Sequence, residues 1–295
     1  MLALVAGTGR LPELVAAAAA PDVIICALQD QLPDHVTAEL TFRLETLGTF
    51  LLELGARGVT EVCFCGAIKR PTIDPGGLDD ETKPLVPLLQ DALGKGDDGA
   101  LRVVISLFEQ TGFTVRGAHD LTPSVLMQAG TPTARQPRDG HKLDADAAQK
   151  ILALMGEKDL GQACIMRKEQ LVIHETITGT DAMLAELSGP VPNPPAEMWQ
   201  GGSADLTADA RAWIAEVIAD AHDAPGAGGI LVKGPKPGQE RRADLRAIGL
   251  QTAIGAIRAG LDGIVIEADG VIVLDAARVL TLLDAADLIL WSRTA

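Results

Sequence analysis

The chain has 295 residues and carries 25 Lys and Arg against 40 Asp and Glu, a formal net charge of −15. At roughly 150 residues per domain, this length predicts two domains, each able to bury a core without disulfide or metal staples. The acidic balance argues against duplex nucleic acid and against electrostatic docking on anionic lipid. An aromatic share of 3%, with no Tyr, argues against base-stacking platforms, and 47% hydrophobic residues describe a folded chain with an aliphatic core.

In chain order, residues 2–6 predict a short buried strand, Gly7-Thr8-Gly9-Arg10-Leu11-Pro12 a turn, and 13–20 a helix. A second strand is expected over 22–27, a helix over 45–58 and a third strand over 59–65, ending at Gly66. Residues 85–93 and 99–112 have helical spacing, and 113–115 read as a strand. Strands alternating with helices indicate a parallel sheet with helical crossovers. The Gly- and Pro-bearing stretch 130–140 marks a linker, which sets domains of 1–130 and 143–295 around a connection at 131–142.

Beyond it, 144–155 is an expected helix, 162–166 and 171–177 are extended segments, and Gly179-Thr180-Asp181 opens a short helix. A loop with four prolines follows over 189–202. Residues 206–221 then form a helix with Asp205 as its cap. Strands are expected at 229–233, 263–268, 271–274 and 287–291, with helices at 250–259 and 276–285.

No run reaches the ~20 apolar residues of a membrane-spanning helix. The apolar N-terminus is interrupted at residues 7–10 and has no basic start, so it reads as strand, turn and helix rather than a signal peptide. Cys26, Cys63, Cys65 and Cys164 form no CxxC pair. They read as reduced, small buried hydrophobes, which fits the cytosol.

Four segments could carry chemistry. The Gly7-Thr8-Gly9 turn, between a strand and a helix, can present N–H groups to an anion. The third glycine of a dinucleotide fingerprint is replaced by Pro12, which disfavours a nicotinamide-dependent oxidoreductase. Gly66 to Pro71 follows a strand, where ligands of such sheets bind, and Lys69 and Arg70 could meet phosphate oxygens. Asp97 and Asp98 place two carboxylates at a helix start, more than a cap needs and a donor type Mg²⁺ accepts. The loop from Lys233 to Asp244 gathers cations, an amide and carboxylates on a backbone stiffened by Pro235 and Pro237. His119 and His174 are isolated and read as structural.

Taken together and in order, these motifs resemble one family, the cytosolic UDP-2,3-diacylglucosamine pyrophosphatases of lipid A biosynthesis. The resemblance rests on residues 7–12 and 66–71, Gly96-Asp97-Asp98, Gly112-Phe113 and Gly117-Ala118-His119. It continues through Gly161-Gln162-Ala163, Glu175, residues 179–184, and 233–249 with Gln239, Arg242, Asp244 and Ile248-Gly249. Glu240 stands where the family pattern has Asp, Arg246 where it has Pro, and Asp120 where it has Glu. The stretch 188–223 reads as an insertion.

The resemblance implies an α/β chain, with a Rossmann-like N-terminal domain and a distinct α/β C-terminal domain. It implies a Mg²⁺-dependent hydrolase that directs water to the α-phosphorus, giving UMP and 2,3-diacylglucosamine 1-phosphate. Asp244 is the expected catalytic carboxylate. Expected substrate contacts are Gly7, Thr8, Gly9, Lys69, Gln162, Thr180, Lys233, Lys236, Gln239 and Arg242. Expected metal contacts are Asp97, Asp98, Asp181 and Asp244. A cytoplasmic homodimer with transient contact to the inner-membrane surface is the expected form. A non-catalytic sugar-nucleotide-binding protein is the alternative; it would need the cations but not the clustered carboxylates.

Overall fold

The computed structural model describes residues 1–294 except 70, 95–96, 159, 189–191 and 237, and not the side chains of 92, 93, 97 and 98. The chain divides into two compact units, Met1–Ser124 with Gln239–Leu245, and Val125–Gly238 with Arg246–Ala295. The fold is α/β, with a Rossmann-like N-terminal domain plus a distinct α/β C-terminal domain.

In the first unit the elements run β1 (Leu2–Ala6), α1 (Leu11–Ala19), β2 (Val23–Leu28), β3 (Leu40–Phe42), α2 (Leu47–Ala56) and β4 (Glu61–Cys65). Then come α3 (Val86–Leu93), α4 (Asp97–Gln110), β5 (Thr114–Arg116) and α5 (Ala118–Leu121). The strands form one five-stranded sheet, β3-β2-β1-β4-β5, with every pair parallel. The strand at its centre, β1, is buried along its whole length, as a parallel strand covered on both faces must be.

Alternation along β1 divides the core. Ala3 and Val5 pack with Leu47, Phe50, Leu51 and Leu54 of α2, while Leu2, Leu4 and Ala6 pack with Val15 of α1. The α2 residues recur at helical spacing and so form one apolar stripe. Phe50 stacks on Phe42 with ring centroids 3.9 Å apart. Cys63 and Cys65 share the α1 face, as their two-residue spacing requires. All four cysteines are free and buried, and burial pushes the Cys26 and Cys164 thiols up to about 12.

In the second unit, α6 (Asp139–Glu157) leads to β6 (Ala163–Arg167), β7 (Gln170–His174), α7 (Thr180–Leu187), α8 (Ala208–Ala221) and β8 (Ile230–Lys233). They are followed by β9 (Ala247–Ile248), α9 (Leu250–Arg258), β10 (Gly263–Glu267), β11 (Ile272–Val273), α10 (Ala276–Ala285) and β12 (Ile289–Arg293). The main sheet has the order β12-β10-β8-β6-β7. Strands β8, β10 and β12 are parallel, whereas β6 is antiparallel to both its neighbours. The sheet is therefore mixed, unlike the parallel sheet of the first unit. The short β6–β7 hairpin explains this, since a turn of two residues can join only antiparallel strands.

Several local expectations are corrected. Helix α6 begins at Asp139, inside the stretch expected to be a linker, because Arg138 N–H finds His141 Nδ1 at 3.2 Å and the first turn gains Asp139. Thr207 caps α8 in place of Asp205, its side chain accepting from Ala210 N–H at 3.1 Å. The strand expected over 271–274 shrinks to Ile272–Val273, which pairs with β9. Strands β3 and β9 and helix α5 are too short for periodicity to reveal.

Candidate active site

In the second unit the C-terminal end of β8 meets the N-terminal end of its antiparallel neighbour β6, with Ala163 opposite Lys233. Cys164 pairs with His174, so the end of β7 reaches the same edge. Glu175 follows β7, and Thr180 opens α7 four residues further on from Thr176. The topology thus brings residues distant in sequence to one edge of the sheet.

A chain of short hydrogen bonds joins them. Lys233 Nζ donates to Thr180 Oγ1 at 2.7 Å, and that hydroxyl donates to Glu175 Oε1 at 2.7 Å. The second carboxylate oxygen, Oε2, accepts from the backbone N–H of Gln162 at 2.6 Å. Lys233 is 5% exposed and Glu175 8%. Burial pushes the Lys233 pKa below its ordinary value, Glu175 and Asp181 oppose that shift, and Arg246 adds to it. A buried ammonium beside a buried carboxylate satisfies the rule that such charges need partners.

Gly161 permits this packing. Its φ is +111°, and a Cβ there would lie 2.9 Å from the Glu175 carbonyl oxygen and 3.1 Å from that side chain. Beside the chain, Asp181 Oδ1 accepts from Thr252 Oγ1 of α9 at 3.1 Å. Gln162 is 2% exposed, and neither atom of its carboxamide has a hydrogen-bond partner among the described residues. Gln162, Thr180, Asp181 and Lys233, expected from the sequence to serve one site, therefore lie together. Lys236 is half-buried on the loop after β8.

In the first unit the loops after β1 and β4 flank the point where the strand order reverses, the place where open α/β sheets take ligands. Here those loops clasp each other. Gly7 N–H donates to Cys65 O at 2.9 Å, Thr8 N–H to Ala67 O at 3.0 Å, and Ala67 N–H back to Thr8 O at 2.9 Å. Gly9 N–H is taken by Asp34 Oδ1 at 2.8 Å. A Cβ on Gly7 would lie 2.4 Å from Ala67 O, so glycine is required there by close approach. The three N–H groups expected to face an anion thus face protein acceptors. Lys69 has an exposed side chain, and its backbone N–H and C=O are both held by the Gln31 carboxamide, at 2.6 and 2.8 Å.

Also in the first unit, Gln239 Nε2 donates to Asp244 Oδ2 at 2.8 Å. Arg242 grips Glu240 through Nε and Nη2, at 2.9 and 2.8 Å, and Glu109 through Nη1 at 2.6 Å. The Arg242 contact holds the Glu240 carboxyl below its ordinary range, while the same contact raises Arg242. This guanidinium already has carboxylate partners on both sides. Ala243 packs on the core of the first unit. Burial pushes the His119 imidazole below its ordinary value, with Asp120 opposing and Arg241 adding to the shift.

Among the described residues no three His, Cys, Asp or Glu side chains are placed to hold a metal ion. The side chains of Asp97 and Asp98, at the head of α4, lie outside those residues, as does Arg70. Mg²⁺ commonly uses one or two carboxylates and completes its shell with substrate phosphates and water. The exposed Asp181 fits that mode, not a cage made by the protein alone. No helix among the described residues is long and apolar enough to cross a membrane.

Sequence reasoning missed the partners that hold these groups in place. Glu175 entered only as a matched motif position, and Thr252, Glu109, Gln31 and Asp34 not at all. None carries a local signal, since apart from the Glu175–Thr180 contact each acts on residues between 13 and 133 positions away.

Comparison with known proteins places these features in one context. The family model described as the LpxI N-terminal domain matches residues 1–125, and that of the LpxI C-terminal domain matches 128–199 and 206–291. The UDP-2,3-diacylglucosamine pyrophosphatase LpxI of Caulobacter vibrioides is 32% identical over 237 residues, covering 80% of this chain and 75% of that protein.

Proposed function

The chain belongs to the LpxI family, and from that premise we propose that it hydrolyses the pyrophosphate bond of UDP-2,3-diacylglucosamine in lipid A biosynthesis. Water attacks the α-phosphorus, releasing UMP and 2,3-diacylglucosamine 1-phosphate. The observation that carries this reading is the buried ammonium of Lys233, fixed by Thr180 at a sheet edge built from four separate segments. A cation desolvated in this way interacts strongly with phosphate oxygens, and its position is set before the reaction begins.

Pyrophosphate cleavage asks the protein for positioning and charge neutralisation more than for covalent chemistry. Lys233 supplies charge to the phosphoryl oxygens, and Lys69 and Lys236 contribute further positive charge. Asp244, held by Gln239, orients the attacking water and accepts its proton. Asp181 would be a protein contact for Mg²⁺, whose chemistry there would be to offset the negative charge of the pyrophosphate. The substrate is lipid-linked, so the enzyme works in the cytoplasm with transient contact to the membrane surface.

The test is product analysis with UDP-2,3-diacylglucosamine and Mg²⁺ in ¹⁸O-water. Label in UMP is the expected result. Label in the lipid phosphate would place the attack at the β-phosphorus, and tight substrate binding without turnover would make the chain a binding protein. Turnover that persists in EDTA would remove the metal from the scheme.

A further inference from the structure

We infer that Glu175 is a positioning residue, which sets the orientation of the Thr180 hydroxyl and through it the placement of the Lys233 ammonium. The inference deepens the proposed function and rests on its reading of Lys233 as the phosphate-neutralising cation.

The direction of the hydrogen bonds follows from the chemistry of each group. Lys233 as an ammonium can only donate, and Glu175 as a carboxylate can only accept. Thr180 has a single hydroxyl proton. Its Oγ1 lies 2.7 Å from both neighbours, so it accepts from Lys233 and gives its proton to Glu175. The Thr180 hydroxyl is therefore committed, and the group left to act on an anion is the ammonium it holds.

The second oxygen of Glu175 is committed as well, to Gln162 N–H at 2.6 Å. Two donors thus converge on two acceptor atoms. A glutamine at 175 would present one oxygen and one NH₂ group, so either Thr180 O–H or Gln162 N–H would face another donor. Only an ionised carboxylate satisfies both. It also supplies the negative charge that favours Lys233 in its charged form, alongside Asp181 and against Arg246. Neutral Gln at this position would remove that charge and break the relay with almost no change of volume.

The decisive experiment compares Glu175→Gln, Thr180→Val, Thr180→Ser and the Glu175→Gln/Thr180→Val double variant in steady-state kinetics and in ¹⁵N NMR of the lysine side chains. Glu175→Gln and Thr180→Val should each lower kcat at least about ten-fold with KM changed far less, as for an interaction realised in the transition state. Thr180→Ser should restore kcat to near the wild-type value. The double variant should be no worse than the worse single one, because the residues act as a unit. The Lys233 ¹⁵Nζ signal should shift in Glu175→Gln and Thr180→Val and hold in Thr180→Ser.

Wild-type kcat in Glu175→Gln, losses that multiply in the double variant, or an unmoved Lys233 signal would each overturn the inference. Absence of turnover in the wild-type chain would overturn the proposed function instead, and the NMR comparison would still decide whether the relay exists.

Discussion

The Gln239 amide donates to Asp244 Oδ2 at 2.8 Å and to the Asp244 carbonyl as well, so one side chain holds both the carboxylate and the backbone of that residue. A carboxylate restrained in this way keeps a constant direction, which water orientation requires. Asp244→Asn, which keeps size and removes charge, should lower kcat by about 100-fold or more, the usual worth of a positioned general base. Gln239→Ala should cost less, because the carboxylate remains but is no longer held. Initial rates with UDP-2,3-diacylglucosamine check both. Near-wild-type turnover of Asp244→Asn and Asp244→Ala together would sink the catalytic role.

Lys233 supplies a pH signature. Burial presses its pKa below 10.5, so the folded chain loses this proton at lower pH than the unfolded chain does. Between the two values the unfolded chain binds more protons, and this residue's contribution to stability therefore rises with pH across that window. Activity should move the other way, with kcat/KM falling at a pH below 10.5 as the ammonium is lost. Lys233→Arg keeps its charge and should show a lower plateau without that alkaline limb. A limb unchanged in Lys233→Arg would mean that another group titrates.

Gly161→Ala tests the packing beneath Glu175. The left-handed backbone and the 2.9 Å approach to the Glu175 carbonyl leave no room for a methyl group. Strain of this kind costs about 1–3 kcal/mol, so the melting temperature should fall, and kcat should fall with it as Glu175 is displaced. A variant with unchanged melting temperature and unchanged kcat would contradict the close packing.

In the first unit, Glu45 is 3% exposed, accepts from Arg43 Nε at 3.1 Å and from Asp74 N–H at 2.7 Å, and its pKa is lowered to about 2, chiefly by Arg43. A carboxyl depressed in the folded state stabilises the chain above its ordinary pKa and loses that contribution as pH falls towards the folded value. Glu45→Gln should therefore destabilise the chain by about 1.5–3 kcal/mol at pH 7, the range for hydrogen bonds to a charged group. The difference from wild type should shrink between pH 4.5 and about 2, as urea unfolding at stepped pH would show. A gap that stays constant across that window would rule out the ionised form as its source.

Much of the fold was legible because burial leaves periodic traces. The run Leu2-Ala3-Leu4-Val5-Ala6 has no polar member, and a central parallel strand needs none. Leu47, Leu51 and Leu54 mark one helical stripe. The two residues of β9 and the four of α5 leave no period to detect.

Of the site, the sequence by itself determined which residue types were available and that they clustered in short motifs around Gly161, Thr180 and Lys233. Only the tertiary structure decided which of them meet. Antiparallel β6 brings Gln162 and Glu175 to the end of β8, and together with Thr180 of α7 they make Lys233 a buried, oriented cation. It also engaged groups that looked available, since Arg242 grips Glu240 and Glu109 and the Gly7 and Gly9 N–H groups meet Cys65 and Asp34. The physical reason is that a hydrogen bond depends on distance and direction in space, and neighbours along the chain state neither for residues 53 positions apart.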